Sequence, residues 1–346
     1  SGLMLSYKES QQGQILEEGI TEAGSLASFT AAGTSYSTLG ETTIPFYIYY
    51  SMFGFQRVGD LIWAFGDSRG KGFLLGATSG RTTLTGEGLQ HCDGQSMLLA
   101  MSVPNCRAYD PAFAFEVSVI IQDGIKRMFG QDPEDVFYYL ALYNENSIQP
   151  PMPGLGTSAQ KDIEEGIIKG IYLYKEEEKE CAHKASILAS GSAMLAALEA
   201  QKVLAEEFDV AADVYSVTSY KNLSEEAMEC ERWNRLHPEA PAKVSYVQSI
   251  LGPTQGPIVS VTDNMKAVGD SISRFVPAPY LVLGTDGYGF SDTREALRRH
   301  FEVDAGHIVA TTLEGLAQQG DLEPKLVTKA IEKFGLNAEL EDPRNR

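Results

Sequence analysis

Basic residues are scarce in this chain: 28 Lys and Arg stand against 47 Asp and Glu, giving a formal net charge of −19 over 346 residues. A nucleic acid would be repelled rather than drawn in by counterion release, so nucleic-acid partners are excluded. Cysteine is sparse too. Cys92, Cys106, Cys181 and Cys230 show no CxxC spacing, which argues against zinc and a disulfide framework and fits a reducing, cytoplasmic setting. The five histidines form no HExxH or similar pair, so no metal ligands are expected in this chain. No apolar run approaches the roughly 20 residues that cross a bilayer, and no signal-peptide pattern opens the chain, so no membrane partner is expected. The opening "SGLMLSYKES" lacks an initiator Met, which fits a processing scar or a start inside a longer protein. The glycine-rich piece "ATSGRTTLTGEGLQH" has neither GK[ST] nor GxGxxG and so is neither phosphate loop nor dinucleotide fingerprint.

What is present is an ordinary globular composition, 43% hydrophobic and 22% charged. A chain this long exceeds what one core usually serves, so two domains are expected. From Ile15 to about Tyr143, the apolar runs "TTIPFYIYYS", "KGFLLGATS" and "VFYYLALYN" alternate with the amphipathic segments "FGFQRVGDLIWAFGDS" and "PAFAFEVSVIIQDGIKRMFG". That rhythm predicts a parallel sheet covered by helices on both faces. Residues 145–166 are rich in Pro, Gly and polar side chains and read as a linker. The "KEEEKE" patch at 175–180 reads as a solvated hairpin turn. A second α/β rhythm follows in "ASILASGS", "AMLAALEAQKVLAEEF", "ADVYSVTS", "PIVSVTD", "YLVLGTDG" and "EPKLVTKAIEKFG". The fold class is therefore α/β, with two domains each built on a mostly parallel sheet flanked by helices, divided as 1–160 and 161–346.

Several residues invite a chemical reading. Glu22 opens a segment of Ala, Gly, Ser and Thr, and no Lys or Arg lies one helical turn away along the chain. It is either a surface group at a helix start, where an acid is favoured, or a buried acid with a function. "ASGSAM" sits at a strand-to-helix turn, which can bind an anion or simply connect tightly. "GTDGYG" near residue 286 suggests either a metal-diphosphate loop or an Asp-Gly turn. His91 follows "GEGLQ" on an expected mobile loop and is a candidate for titration near neutrality. His237 and His300 read as structural or surface residues. Residues 46–55, "FYIYYSMFGF", hold six aromatics in ten positions. Alternation in a strand explains some of them, whereas Tyr49, Tyr50 and Phe53 continue into the turn. At the carboxyl end of a parallel strand such a cluster can stack on a flat ligand.

Taken together, "LEEGITEAG", "IPFYIYYSMFGFQR.GDL", "TSGRTTL.GEGLQH", "VYSVTS", "CERWN.LHP" and "LGTDGYG.SD.RE.LR.HFEVDA" resemble the homodimeric pyruvate dehydrogenase component family. These are thiamine diphosphate enzymes of the transketolase superfamily. The resemblance runs from about Gln14 to the end and implies a pyrimidine-binding domain followed by a transketolase-like terminal domain. It implies the chemistry of pyruvate decarboxylation with reductive acetylation of lipoyl groups. Glu22 falls on the glutamate that hydrogen-bonds N1′ of the aminopyrimidine ring. Small neighbours and no cationic partner agree with that role, predicting a desolvated carboxyl with a raised pKa. Tyr50 and Phe53 fall on the aromatic wall of the pyrimidine pocket, with Phe53 the stacking residue. Glu87 and His91 fall on the active-site loop, although "HCDGQS" departs from the acidic and histidine pattern expected there. The resemblance also places "GTDGYG" in the terminal domain, away from any metal site. Mg2+ and the diphosphate would be held by a domain or subunit outside this chain. A homodimer, a lipoyl domain and an acyltransferase core are the further partners implied. The rival readings are another thiamine diphosphate enzyme of the superfamily, and a catalytically silent assembly module.

Overall fold

The computed structural model describes residues 8–346, so most of the opening stretch "SGLMLSYKES" lies outside the described residues. The first helix, α1 (Glu22–Gly33), starts where the sequence changes from charged to small residues. Thr21 caps it, its hydroxyl accepting the Gly24 N–H at 3.3 Å, and Leu26 and Phe29 form its buried face. A short α2 (Ser35–Thr38) follows, then β1 (Phe46–Tyr49), α3 (Phe55–Asp67), β2 (Phe73–Gly76), α4 (Ser96–Met101), β3 (Cys106–Tyr109), α5 (Ala114–Phe129) and β4 (Phe137–Ala141). The strands form a four-stranded, wholly parallel sheet in the order β1-β2-β4-β3. Every residue of β2 and β4 is buried, as expected for central parallel strands covered on both faces. β1 lies at the edge, and its Phe46 and Ile48 are exposed.

The second half comprises α6 (Gln160–Lys169), β5 (Tyr172–Lys175), β6 (His183–Ala189), α7 (Met194–Glu207), β7 (Val210–Ser216), α8 (Tyr220–Leu236) and α9 (Tyr246–Leu251). It continues with β8 (Ile258–Val261), α10 (Lys266–Asp270), β9 (Tyr280–Leu283), α11 (Arg294–His300), α12 (Ala305–Gln319) and α13 (Pro324–Phe334). Its five-stranded sheet has the order β5-β7-β6-β8-β9, parallel except for β5, which runs antiparallel to β7. The mixed α/β class expected from the sequence, with two mostly parallel sheets flanked by helices, is the observed one.

Two local expectations are corrected, and one strand is added. "KEEEKE" does not close a hairpin: it joins β5 to β6, and β7 lies between those two strands. The stretch read as linker contains the start of α6, whose Ile163 and Ile167 pack against Phe73, Tyr138 and Tyr172. β3 escaped the sequence reading because "CRAY" is short and interrupted by Arg107; only pairing with β4 makes it a strand. Among the described residues, no helix is long and apolar enough to cross a membrane.

The two sheets meet through side chains just beyond their strands' carboxyl ends. Asp110, after β3, accepts hydrogen bonds from Ser190 Oγ at 2.7 Å, after β6, and from Asn264 Nδ2 at 2.9 Å, after β8. An apolar cluster continues the joint: Leu26, Phe29 and Phe65 belong to the same core as Leu188, Tyr215, Leu223 and Val247.

Candidate functional site

β1 ends at Tyr49, and the chain passes through Tyr50 and a 3-10 turn at Ser51–Phe53 before entering α3. Ser51 anchors this turn. It is fully buried, its Oγ lies 2.9 Å from Ser79 Oγ, and it donates a very short hydrogen bond to the Asp93 carboxylate. Asp93 is itself fixed, because its other oxygen accepts the Ser96 N–H at 2.9 Å at the start of α4. With the turn pinned from inside, Tyr50 and Phe53 are left at the rim, Tyr50 being 43% exposed.

One helical turn beyond Phe53, α3 presents Arg57. Its guanidinium lies 4.2 Å from the Phe53 ring centroid, a cation–π distance. Arg57 Nη1 also donates to Glu22 Oε2 at 3.0 Å. The expectation that Glu22 has no cationic partner is therefore wrong. No cation lies one turn away along α1 itself; the partner arrives from α3, 35 positions later. With the partner present, the premise for a purely desolvated acid is lost. Glu22 is nevertheless not a free surface group, since its side chain is only 15% exposed. Its Oε1 has no hydrogen bond among the described residues.

His91 closes the opposite side. Its ring centroid is 5.1 Å from Tyr50 and 5.4 Å from Phe53, meeting the latter edge-on at 82°. It ends a short 3-10 turn, Leu89–His91, and is partly buried, so it is packed rather than loosely exposed as the composition suggested. Its Nδ1 is buried without a hydrogen-bond partner among the described residues, and so is Glu87 Oε2 on the same loop. Orphaned buried polar atoms are uncommon in folded proteins and point to a missing partner. The structure thus joins Glu22, Tyr50, Phe53 and His91 through contacts that include Arg57; for Glu87 it shows the unpartnered oxygen and no direct contact with that group. Arg57 was present in the quoted "FGFQR.GDL", but nothing local marked it.

The other motifs behave structurally. At "ASGSAM", Ser192 Oγ donates to Asp263 Oδ2 at 2.9 Å and Ser190 to Asp110, so two carboxylates border the turn and disfavour an anion. In "GTDGYG", Asp286 Oδ1 accepts the Lys266 N–H at 3.0 Å, which is a turn role. No group of three or more potential metal ligands occurs among the described residues. His237 stacks on Trp233 at 4.5 Å at the surface, and His300 packs against Phe290 at 4.4 Å. Burial lowers the His300 pKa, with Arg346 acting in the same direction.

The arrangement can receive a planar, polar ring: the Tyr50 and Phe53 rings, the Glu22 carboxylate reached through Arg57, and His91 with its buried Nδ1 unpartnered among the described residues are joined by contacts. Such a donor and acceptor set suits the polar edge of a flat heterocycle, and among the described residues no group of three or more His, Cys, Asp or Glu accompanies it.

Residues 1–150 match the family described as pyruvate dehydrogenase E1 component middle domain, and residues 170–304 match the transketolase-like TK C-terminal domain. The chain is 52% identical over 341 residues to the pyruvate dehydrogenase E1 component of Pseudomonas aeruginosa, covering 98% of this chain and 38% of the relative. It is 50% identical over 339 residues to the pyruvate dehydrogenase E1 component of Escherichia coli K12, covering 98% and 37%. The chain therefore spans little more than a third of the length of these relatives. A transketolase from Leishmania mexicana superposes with a TM-score of 0.62 at 18% identity, covering 87% of this chain and 37% of that one, which shows a shared fold.

Proposed function

Because the chain belongs to the pyruvate dehydrogenase E1 family, we propose that it supplies the aminopyrimidine half of a thiamine diphosphate site in a pyruvate-decarboxylating enzyme. The observation that carries this reading is the cluster of Glu22, Tyr50, Phe53 and His91 at the carboxyl end of β1, with Arg57 joining Glu22 to Phe53. Thiamine diphosphate, when bound, supplies the nucleophilic carbon and electron sink that decarboxylation of a 2-oxo acid requires. The diphosphate and Mg2+ are assigned to a companion region outside this chain.

In this reading Glu22 faces ring atom N1′, exchanging a proton through the carboxylate oxygen that Arg57 leaves free. Phe53 stacks on the ring and Tyr50 walls it, fixing its plane by packing that a rotating side chain could not supply. His91 and Glu87, whose Nδ1 and Oε2 lack partners among the described residues, face the substrate side, where they hold or move a proton on the 2-oxo acid and on an incoming lipoyl group. The cofactor would lie between this chain and its companion, so a homodimer or a paired subunit completes the site, with the lipoyl domain and acyltransferase core as later partners.

Titration with thiamine diphosphate and Mg2+ tests the division of labour. Binding is expected only when the chain is joined to the region of its relatives that it does not span. Tight binding and pyruvate turnover by the chain alone would overturn it. Failure to bind in every pairing would favour a silent assembly module. Turnover that prefers sugar phosphates or branched 2-oxo acids over pyruvate would move the chain to another branch of the superfamily.

A further inference from the structure

The loop that carries Glu87 and His91 emerges from the first sheet, where Ser51 holds Ser79 and Asp93 at its neck, and it takes further supports from the second half of the chain. An isolated antiparallel bridge between Gly80 and Asp93 closes the neck of the loop. Just inside that neck, Asp263, following β8, accepts the Arg81 N–H at 2.9 Å and the Thr82 hydroxyl at 2.8 Å. Gly80 makes this approach possible: at φ +91° its missing Cβ would lie 2.4 Å from Asp263 Oδ2. The Arg81 guanidinium donates to the Thr285 carbonyl, and Arg294 Nε of α11 donates to the Thr83 carbonyl at 2.6 Å. On the returning limb, Met265 N donates to the Gly94 carbonyl at 2.8 Å.

The closest seat lies directly beside His91. Gly289 rests on Leu89 and Cys92, and a Cβ there would come within 2.5 Å of Leu89 O and 2.4 Å of Cys92 Cβ. Cys92 is buried, and its thiol donates to the Phe290 carbonyl at 3.4 Å. Phe290 in turn packs on His300 at 4.4 Å, so this seat is continuous with α11. The tip between these grips, at Thr85, Gly86 and Gly88–Gln90, is exposed. Both limbs are clamped, and the exposed tip touches the second half only where Leu89 meets Gly289.

We propose that the carboxyl-terminal half of the chain, through Asp263, Arg294 and the Gly289–Phe290 turn, is the positioning scaffold that seats His91 against Tyr50 and Phe53. The seating itself stands on the contacts above; its consequence for catalysis rests on the function proposed for His91. A domain joined only by a linker would leave that loop to the first sheet alone. Here the loop order depends on how the two halves dock, and Gly289 is the position where a single methyl group reaches His91's neighbours on both sides.

Gly289→Ala in the 346-residue chain tests this without any cofactor. Hydrogen exchange at the His91 and Cys92 amides, which bond to the Gly88 and Leu89 carbonyls, is expected to quicken by roughly tenfold or more as the loop lifts. Amides of β2 and β4 should keep their protection. In histidine-selective NMR, the His91 ring protons should lose the ring-current shifts of Tyr50 and Phe53, while those of His237 stay in place. Unchanged exchange at His91 and Cys92 together with unmoved His91 resonances would overturn the proposal. If Gly289→Ala does not fold, Arg294→Met decides by the same two readouts, with the same directions. In the complete enzyme, Gly289→Ala should lower kcat for pyruvate while the affinity for thiamine diphosphate holds, since neither Glu22 nor Phe53 is touched; an equal loss of both would assign Gly289 to general stability. Failure of the cofactor reading would show separately, as full activity in Glu22→Gln, and would leave the loop seating intact.

Discussion

The rim at the end of β1 and the polar seam between the two sheets use similar residues in opposite ways. In the seam, Glu116 is fully buried and accepts four hydrogen bonds, from Ala112 N at 2.6 Å, Phe113 N at 3.1 Å, Tyr172 OH at 2.7 Å and Ser216 Oγ at 2.6 Å. Asp263 is equally saturated by Arg81, Thr82 and Ser192. Burial raises the pKa of Asp110, Glu116 and Asp263, and their hydrogen bonds oppose that rise. At the rim, Glu22 has one half-exposed partner, while His91 Nδ1, and Glu87 Oε2 on the same loop, have none among the described residues. Carboxylates whose lone pairs are all occupied join elements together. Those left incomplete are the ones available to a ligand.

The largest effect that could break this contrast is expected at Glu22. In the complete enzyme, Glu22→Gln should reduce turnover by roughly 10²- to 10⁴-fold, the scale of lost acid–base catalysis, with little change in thermal stability; near-wild-type turnover would remove Glu22 from the chemistry. The seam should answer in the other way. Asp263→Ala leaves several buried donors unpaired and should cost about 3 kcal/mol or more of unfolding free energy in a denaturant titration; a cost under about 1 kcal/mol would show that the seam is not a true joint.

Asp110 sharpens the comparison through pH. Its folded-state pKa is raised from 3.8 to about 6, mainly by burial, so the folded chain holds this proton more tightly than the unfolded chain. Its ionisation therefore costs nothing below about pH 4, and the penalty grows through pH 4 to 6 to reach roughly 3 kcal/mol at most. Relative to Asp110→Asn, wild-type stability should fall across that window and level off above it; parallel pH profiles would contradict the assignment. A smaller loss is expected for Phe53→Ala, about tenfold in cofactor affinity from lost stacking, measured by equilibrium titration of the complete enzyme. Smallest of all, Arg57→Met should change unfolding free energy by less than about 1 kcal/mol, because the Arg57 side chain is itself half-exposed and its ion pair is screened by water. A larger loss would mean that the rim, too, is a structural joint.

The strands with continuous apolar runs, such as "FLLG" and "FYYLA", were legible because burial on both faces imposes that composition on central parallel strands. β3 was not legible, since an edge strand carrying Arg107 takes its conformation from its neighbour. The motifs around Glu22, Tyr50, Phe53 and His91 offered these four as candidates, and the structure joins them through contacts that include Arg57. Arg57 could not be found by looking one helical turn along α1, because the contact spans two helices. The supports of the His91 loop were hidden for the same reason: Asp263, Gly289 and Arg294 lie about two hundred residues away from the positions they hold.

The sequence by itself determined the α/β class, the two-sheet organisation and the chemical character of the rim, because periodicity, turn residues and motif spacing are local properties of the chain. Tertiary structure alone decided which cation pairs with Glu22, which carboxylates are saturated, and which half of the molecule holds His91 in place. Hydrogen-bond saturation and close backbone approach depend on distances between segments remote in sequence, and those distances exist only once the two sheets have docked.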